Sequence, residues 1–357
     1  MRSACAALAR AHAKSSAALL RPSRTALSAF AQAKSRAAFA ATASMAAPVP
    51  SRLIFVGDLH GQREKLETLW ARLNAFCGPA DFATAKVVFL GDYVDRGPDS
   101  KGVLDFLCAL PAKHPLQTHV FLAGNHDFAM AAFLGLKGVL QPAVADAMCA
   151  AYKPWRAEGK LYAGPGVELG MHLQGRRWAV DIGWNSPGIF NSESTFSSYH
   201  SKERSVRYAN LHSLSEAMPQ EHKTFLRNMD FVHCCELPPG SYGAPLADGS
   251  GEREPATHAI AVHAGLRQEK GDPSVDEQLQ QLLAQDTSHM FVKQLSDRRE
   301  VITAHPDLEA RKTLLVSGHH STLVMQRWRL VIDSGGGVNN RPITAVVFPG
   351  RVKVQSD

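Results

Sequence analysis

Five short segments place acid, amide and imidazole side chains next to glycines. They read Gly57-Asp58-Leu59-His60-Gly61, Gly91-Asp92-Tyr93-Val94-Asp95-Arg96-Gly97, Gly124-Asn125-His126-Asp127, Val262-His263-Ala264-Gly265-Leu266 and Ser317-Gly318-His319-His320. Asp58, His60, Asp92, Asn125, His263 and His319 combine carboxylates, an amide oxygen and imidazoles, with no thiolate among them. Mixed nitrogen and oxygen donors suit borderline first-row ions such as manganese, iron or zinc. These donors are too many for one catalytic ion, which must keep a position open; two ions sharing one carboxylate resolve the excess. Paired ions about 3.5–4 Å apart are a recurrent device for hydrolysing phosphate esters. Asp58 and His60 stand two residues apart, so an extended tip would direct both side chains to one side. Gly57 and Gly61 permit a tight turn that a β-carbon would obstruct.

Elements must hold these segments in place, and the sequence shows them. Leu53 to Val56, Val87 to Leu90 and Val120 to Ala123 are short apolar runs directly before the first three segments. Runs of this length and composition read as buried strands. Arg63 to Phe76 and Lys101 to Leu110 carry apolar residues near helical spacing. The pattern is therefore β-α-β-α-β, a largely parallel sheet with helices against it. Open α/β sheets bind ligands at the carboxyl ends of their strands, where all three segments lie. The rhythm breaks over residues 128–257, Ala- and Leu-rich to about Lys153, then polar and irregular, with a Gly and Pro cluster at Pro238 to Gly251. This stretch reads as an insertion of helices and loops over the ligand edge, carrying specificity more than chemistry. Strand-like runs resume at Ala259 to Val262, Thr313 to Val316, Arg329 to Ile332, Ile343 to Phe348 and Val352 to Val354. Two clusters of strands tipped with His or Asp predict an α/β chain with two facing sheets and a site between their ends.

The 357 residues are 45% apolar with 27 glycines and 20 prolines, ordinary globular values that exclude wholesale disorder and a collagen-like repeat. No run approaches the roughly 18 apolar residues of a membrane-spanning helix, so no membrane partner is expected. The net charge of +6 points first to nucleic acid. Residues 1–50, however, contain seven basic and no acidic residues, which leaves residues 51–357 with 32 basic against 33 acidic. The nucleic-acid argument falls with that division. The same 50 residues hold 19 alanines and seven serines. A basic, Ser-rich, acid-free leader has the character of an organellar transit peptide, chloroplast first and mitochondrion second, with a disordered leader as the alternative. Initiation at Met45 would instead leave the chain in cytoplasm or nucleus. Beyond the leader, Cys77, Cys108, Cys149, Cys234 and Cys235 show no C-x-x-C spacing, against both a disulfide framework and a thiolate zinc site.

In this order and spacing, GDLHG, GDYVDRG and GNHD resemble the three signature motifs of the phosphoprotein phosphatase (PPP) family within the calcineurin-like metallophosphoesterases. VHAGL is similar to that family's fourth, His-containing motif and SGHH to its last, so the resemblance spans nearly all of residues 52–348. More narrowly, FLAGNHDFA, MHLQGRRWA, IAVHAGL, LVSGHH and IDSGGG resemble the plant and algal Rhizobiales-like branch, close to bacterial enzymes and regarded as phosphotyrosine-directed. Asp127 stands where eukaryotic Ser/Thr enzymes carry Glu, VHAG where they carry HGG, and SGGG follows Asp333 where they carry an SAPNY loop.

The resemblance implies the calcineurin-like two-sheet sandwich flanked by helices, and two divalent or trivalent ions. It assigns Asp58 and His60 to the first ion, Asp92 to both, and Asn125, His263 and His319 to the second. A bridging water acidified by both cations would supply the nucleophile. His126 would protonate the leaving oxygen, with Asp95 accepting its other N–H. Arg96 would present a planar fork to two phosphate oxygens. His319, directly after Gly318, is the expected ligand, and His320 a supporting or substrate-binding neighbour. Arg176 and Arg177 are candidates for a further anion-binding pair. The family's second phosphate-binding arginine falls among Arg298, Arg299 and Arg311. Phe196, Tyr199 and Trp184 read as core aromatics before pocket ones, and His119, His172, His212 and His233 as structural or exposed.

The expected activity is hydrolysis of phosphotyrosine in a protein or peptide. Hydrolysis of a diadenosine polyphosphate or another small nucleotide, and of phosphoserine or phosphothreonine, are the alternatives. A non-catalytic phosphopeptide reader has no support, since every expected donor and His126 are present.

Overall fold

The computed structural model describes residues 50–134, 136, 192–199, 211–241, 256–287, 292–299, 301–336 and 340–357. The leader up to residue 49, Arg176, Arg177, His172, Trp184 and the side chain of His212 lie outside the described residues.

The chain opens with β1 (Leu53–Val56), α1 (Arg63–Cys77), α2 (Pro79–Ala83), β2 (Lys86–Phe89), α3 (Ser100–Lys113), β3 (Thr118–Phe121) and α4 (Asn125–Phe133). Then come α5 (Glu193–Ser198), α6 (Leu211–Ala217), α7 (Gln220–Arg227), β4 (Val232–Glu236) and β5 (His258–Val262). The remainder is α8 (Val275–Leu283), α9 (Lys293–Ser296), α10 (Pro306–Ala310), β6 (Thr313–Ser317), β7 (Leu323–Met325), β8 (Arg329–Ile332), β9 (Thr344–Phe348) and β10 (Val352–Gln355).

Among the described residues the strands form two mixed five-stranded sheets, ordered β10-β9-β1-β2-β3 and β4-β5-β6-β8-β7. The alternation of side chains along each strand explains the layering. Leu53, Phe55, Val88, Val120, Val346 and Phe348 of the first sheet share one buried cluster with Ala259, Ala261, Leu314, Val316, Leu330 and Ile332 of the second. The intervening residues Ile54, Val56, Val87 and Phe89 face the other way and pack with Leu66, Leu69, Leu73, Val103 and Leu107 of the helices. Both faces of the central strands are thus covered, which is why they read as continuous apolar runs and not as alternating ones. Burying each such side chain is worth about 1.5–3 kcal/mol. The expected two-sheet sandwich flanked by helices is the fold.

β1, β2 and β3 run parallel, as do β5, β6 and β8. Their carboxyl ends therefore emerge in two parallel sets, and each glycine-flanked segment sits on one of them. The stretch read as an insertion is not all helix and loop. Val232–Glu236, counted within the inserted helices and loops, is a strand that pairs antiparallel with β5. Its Val-His-Cys-Cys-Glu sequence has no long apolar run, and its strand character comes from its neighbour.

Candidate metal centre

The loop after β1 is wrapped, not extended as the spacing of Asp58 and His60 predicts. The N–H groups of Leu59 and His60 both donate to the Asp92 carbonyl, at 3.0 and 2.8 Å, and that of Gly61 to the Tyr93 carbonyl at 2.9 Å. These bonds turn His60 to a φ of 39°. Asp58 Oδ2 and His60 Nε2 still meet at 3.9 Å. A β-carbon on Gly57 would fall on the Ile332 carbonyl of β8, and Gly61 takes a φ of +64° against the Gly97 carbonyl. Both glycines are therefore required, one for close approach and one for its backbone angle.

Asp127 fastens the second loop to the third. Its Oδ2 accepts from Asp92 N–H at 2.6 Å and Gly124 N–H at 3.0 Å, and its Oδ1 from Tyr93 N–H at 2.8 Å. His60, Asp92, Asp95, Arg96 and His319 all have positive φ. Such positions cost about 1–3 kcal/mol each and persist only where surrounding contacts over-determine them. The cross-loop hydrogen bonds do that here.

Asp92 stands at the middle. Its Oδ2 is 3.5 Å from His60 Nε2 and 3.9 Å from His126 Nε2, and its Oδ1 is 3.3 Å from His263 Nε2. It belongs to two trios, His60–Asp92–His126 and Asp92–His263–His319, each with ligand atoms within 4.8 Å of one another. Asp58 joins them by accepting the N–H of His319 at 3.1 and 3.2 Å. His60 Nδ1 bonds the Val94 carbonyl at 3.1 Å and His263 Nδ1 the Leu90 carbonyl at 2.6 Å. Each ring thus turns Nε2 to the centre, its orientation fixed by the outer bond.

Burial works against a charge on Asp92, yet His263 and His126 hold its carboxyl well below the usual range. Burial, and then Asp333, push the Asp58 carboxyl well above it. Burial also opposes a charge on His263, but Asp92 beside it takes the imidazole up to about 10. Burial holds His60 and His319 well below the ordinary imidazole range, with Arg96 and His263 respectively adding to the effect. Positive charge is drawn to the Asp92–Asp58 corner, while His60 and His319 stay neutral with lone pairs to give.

The fit to a metal pair rests on buried atoms. Asn125 Oδ1, His263 Nε2 and both ring nitrogens of His319 are buried with no hydrogen-bond partner among the described residues. His263 Nε2 is close to Asp92 but outside hydrogen-bond geometry, so that contact does not satisfy it. Groups of this kind cost about 1–3 kcal/mol each when nothing binds them. Imidazole and amide lone pairs converging with two carboxylates form the donor set of a borderline first-row ion. The sharing of Asp92 between trios suits two of them.

Residues 51–229, half of the chain, match the family model for calcineurin-like phosphoesterases. The chain is a calcineurin-like phosphoesterase. Among solved structures, it is similar to a protein provisionally described as a diadenosine tetraphosphatase, at 19% identity over 86% of this chain and 94% of that one, with a TM-score of 0.41. It is also similar to the cold-active protein tyrosine phosphatase of the psychrophile Shewanella sp., at 12% identity over 86% and 80%, with a TM-score of 0.35.

In this phosphoesterase His126 Nδ1 meets Asp95 Oδ2 at 2.8 Å. Arg96 donates to His60 Nε2 at 2.7 Å and to His126 Nε2 at 3.1 Å, so its fork already spans the centre. His320 is tied by Nε2 to the Ala264 carbonyl at 2.7 Å, a contact that braces the loop after β5. Of the three arginines between the last two motifs, Arg311 is engaged with Asp276 at 2.6 Å. Arg298 stands near enough for its charge to act, behind burial, on both His319 and His320. Phe196 and Tyr199 are core residues, the latter bonded through its hydroxyl to His222 Nδ1 at 2.8 Å. His119 is stacked on Phe121 and His233 is a strand residue of β4.

Sequence reasoning assigned no supporting role to three groups that have one. Asp127 was visible inside the GNHD motif. Asp333, at the end of β8, accepts from Ser321 N–H and Gly335 N–H and so joins two loops. Thr195 reaches Asp95 from 100 positions away, and no local signal marks it.

Proposed function

We propose that this phosphoesterase is a two-metal phosphomonoesterase that removes phosphate from tyrosine in proteins or peptides. The hydrolytic part is carried by one observation: a carboxylate, Asp92, common to two ligand trios, with the His126–Asp95 pair beside it. Asp58, His60, Asp92, Asn125, His263 and His319 would hold the ions, manganese, iron or zinc. Two such cations neutralise phosphoryl oxygens and lower the pKa of water enough to make it the attacking group.

The chain's own residues do the rest. His126 lies within ligand reach of Asp92, but Asp58 completes the donors near His60, which leaves His126 for proton transfer. With Nδ1 held by Asp95, Nε2 faces the centre; it accepts from Arg96 here, and once phosphate takes the guanidinium it can carry the proton given to the leaving oxygen. The single lone pair of His60 Nε2 accepts either the Arg96 guanidinium or an ion. An ion at His60 and a proton on His126 Nε2 would each displace one arm of the guanidinium, which leaves the fork of Arg96 to two phosphate oxygens.

The tyrosine preference is supported by the motif resemblance and by the departures at Asp127, VHAG and SGGG. A phenol of pKa near ~10 is a far better leaving group than an alkoxide, so phosphotyrosine asks less of His126. The test is a side-by-side assay of the manganese-loaded protein on a phosphotyrosine peptide, a phosphoserine peptide and diadenosine tetraphosphate. Preference for the first is expected. Preference for the dinucleotide would end the protein-phosphatase reading, and preference for phosphoserine would end the tyrosine one.

A further inference from the structure

We infer that Thr195, in the inserted segment, is a positioning residue that holds the Asp95–His126 pair in place; this rests on the reading of His126 as proton donor. Thr195 is wholly buried and grips Asp95 at two points. Its hydroxyl donates to Asp95 Oδ1 at 2.7 Å, and its Oγ1 accepts the Asp95 N–H at 2.9 Å. Ser100 Oγ stands 2.9 Å from Thr195 Oγ1 and accepts from Asp95 N–H at 3.1 Å. Asp95 Oδ2 bonds His126. A chain of bonds thus runs from α3 through Thr195 and the Asp95 carboxylate to the imidazole.

Thr195 is itself held firmly. Ser198 Oγ, on the same short helix, donates to the Thr195 carbonyl at 2.8 Å and accepts from Lys101 N–H at 3.1 Å, which docks α5 on α3. Phe196 is buried beside it. Asp95 has a φ of 72°, a conformation few side chains favour, and the second bond from its N–H to Thr195 helps to hold it. Both oxygens of the carboxylate are directed, one to the insertion and one to His126. Through Thr195 the inserted segment therefore helps to position the proposed proton donor.

Thr195→Val keeps the shape and removes the hydroxyl; Thr195→Ser keeps the hydroxyl. With the full manganese-loaded chain, kcat is measured on phenyl phosphate, whose phenol gains more from a proton as it leaves, and on 4-nitrophenyl phosphate, whose more acidic phenol gains little. Thr195→Val should lower kcat on phenyl phosphate about 10- to 100-fold, part of the roughly 10²- to 10⁴-fold that a positioned general acid contributes, and leave 4-nitrophenyl phosphate nearly unchanged. Thr195→Ser should restore the rate. An equal loss on both substrates would make Thr195 a structural residue and overturn the inference. His126→Asn, run alongside, separates the two levels. If it fails to discriminate between the substrates, the proton-donor reading is wrong and this inference falls with it; if it discriminates and Thr195→Val does not, Thr195 alone is misassigned. A second readout is independent of turnover: the Nδ1–H proton resonance of His126 in metal-free protein should persist in Thr195→Ser and broaden by exchange in Thr195→Val. Where the valine cannot be accommodated, Thr195→Ala carries the same comparison.

Discussion

Asp92 has one carboxylate oxygen toward His263 and the other toward His60 and His126, and Oδ1 also accepts the His126 N–H at 3.0 Å. Asn at this position keeps an oxygen for that N–H but loses the charge shared by two ligand trios. Asp92→Asn should therefore melt near the wild-type temperature while kcat falls more than about a hundredfold, since even outer partners of metal ligands cost about 10- to 100-fold. Kinetics and thermal melting of the pair check this; full activity would refute the shared role. The identities of these donors were legible because each follows an apolar run and adjoins a glycine. The conformation of His60 was not, because it is imposed by the Asp92 carbonyl, 32 positions away. Arg298 and Arg311 were likewise inseparable until Asp276 was seen to occupy the second.

At the scale of elements, Arg329 joins the strands that deliver His263 and His319. It is wholly buried at the start of β8. Its Nη2 donates to Ser317 Oγ at 2.6 Å, Ala264 O at 3.1 Å and Val301 O at 3.2 Å, its Nε to Ile302 O at 2.9 Å and its Nη1 to Leu330 O at 2.8 Å. Burial lowers its guanidinium to about 9. Lysine has three donors on one point and cannot reproduce the fork. Arg329→Lys should lose about 3 kcal/mol or more in urea unfolding, since at least two hydrogen bonds from a charged donor, each worth about 1.5–3 kcal/mol, go unmade; a loss under about 1 kcal/mol would show that the fork is dispensable. Nothing in the sequence announced this role, as Arg329 reads only as the polar start of an apolar run. β4 was signalled only by the paired thiols of Cys234 and Cys235, which read as lying on or near a strand, and its extent was not legible for a related reason. The parallel strands were visible because burial on both faces makes them apolar throughout, whereas β4 owes its strand form to its pairing with β5.

For the whole molecule, the two apolar layers account for the sandwich, and the site is confined to loops at the ends of its parallel strands. The half-buried His233 of β4 also makes stability depend on pH. Burial, and then Lys86, lower His233 to about 4, against about 6.5 for an unfolded imidazole. Between those values the unfolded chain binds a proton that the native chain refuses, so His233 destabilises the fold as pH falls through about 6.5 towards 4 and has no such effect above. The stability of wild type relative to His233→Asn, measured by urea unfolding, should therefore decline from pH 7 to pH 5; a constant difference would show that the imidazole is not excluded from charging. The core layers were readable from composition and run length, while burial of His233 depends on what packs over β4.

The central claim is that two cations sit on either side of Asp92, and anomalous scattering from crystals grown with manganese tests it most directly. Two peaks are predicted, one within bonding distance of Asp58 and His60, the other of Asn125, His263 and His319, with Asp92 touching both. A single peak, or peaks away from Asp92, in crystals of active protein would contradict the account.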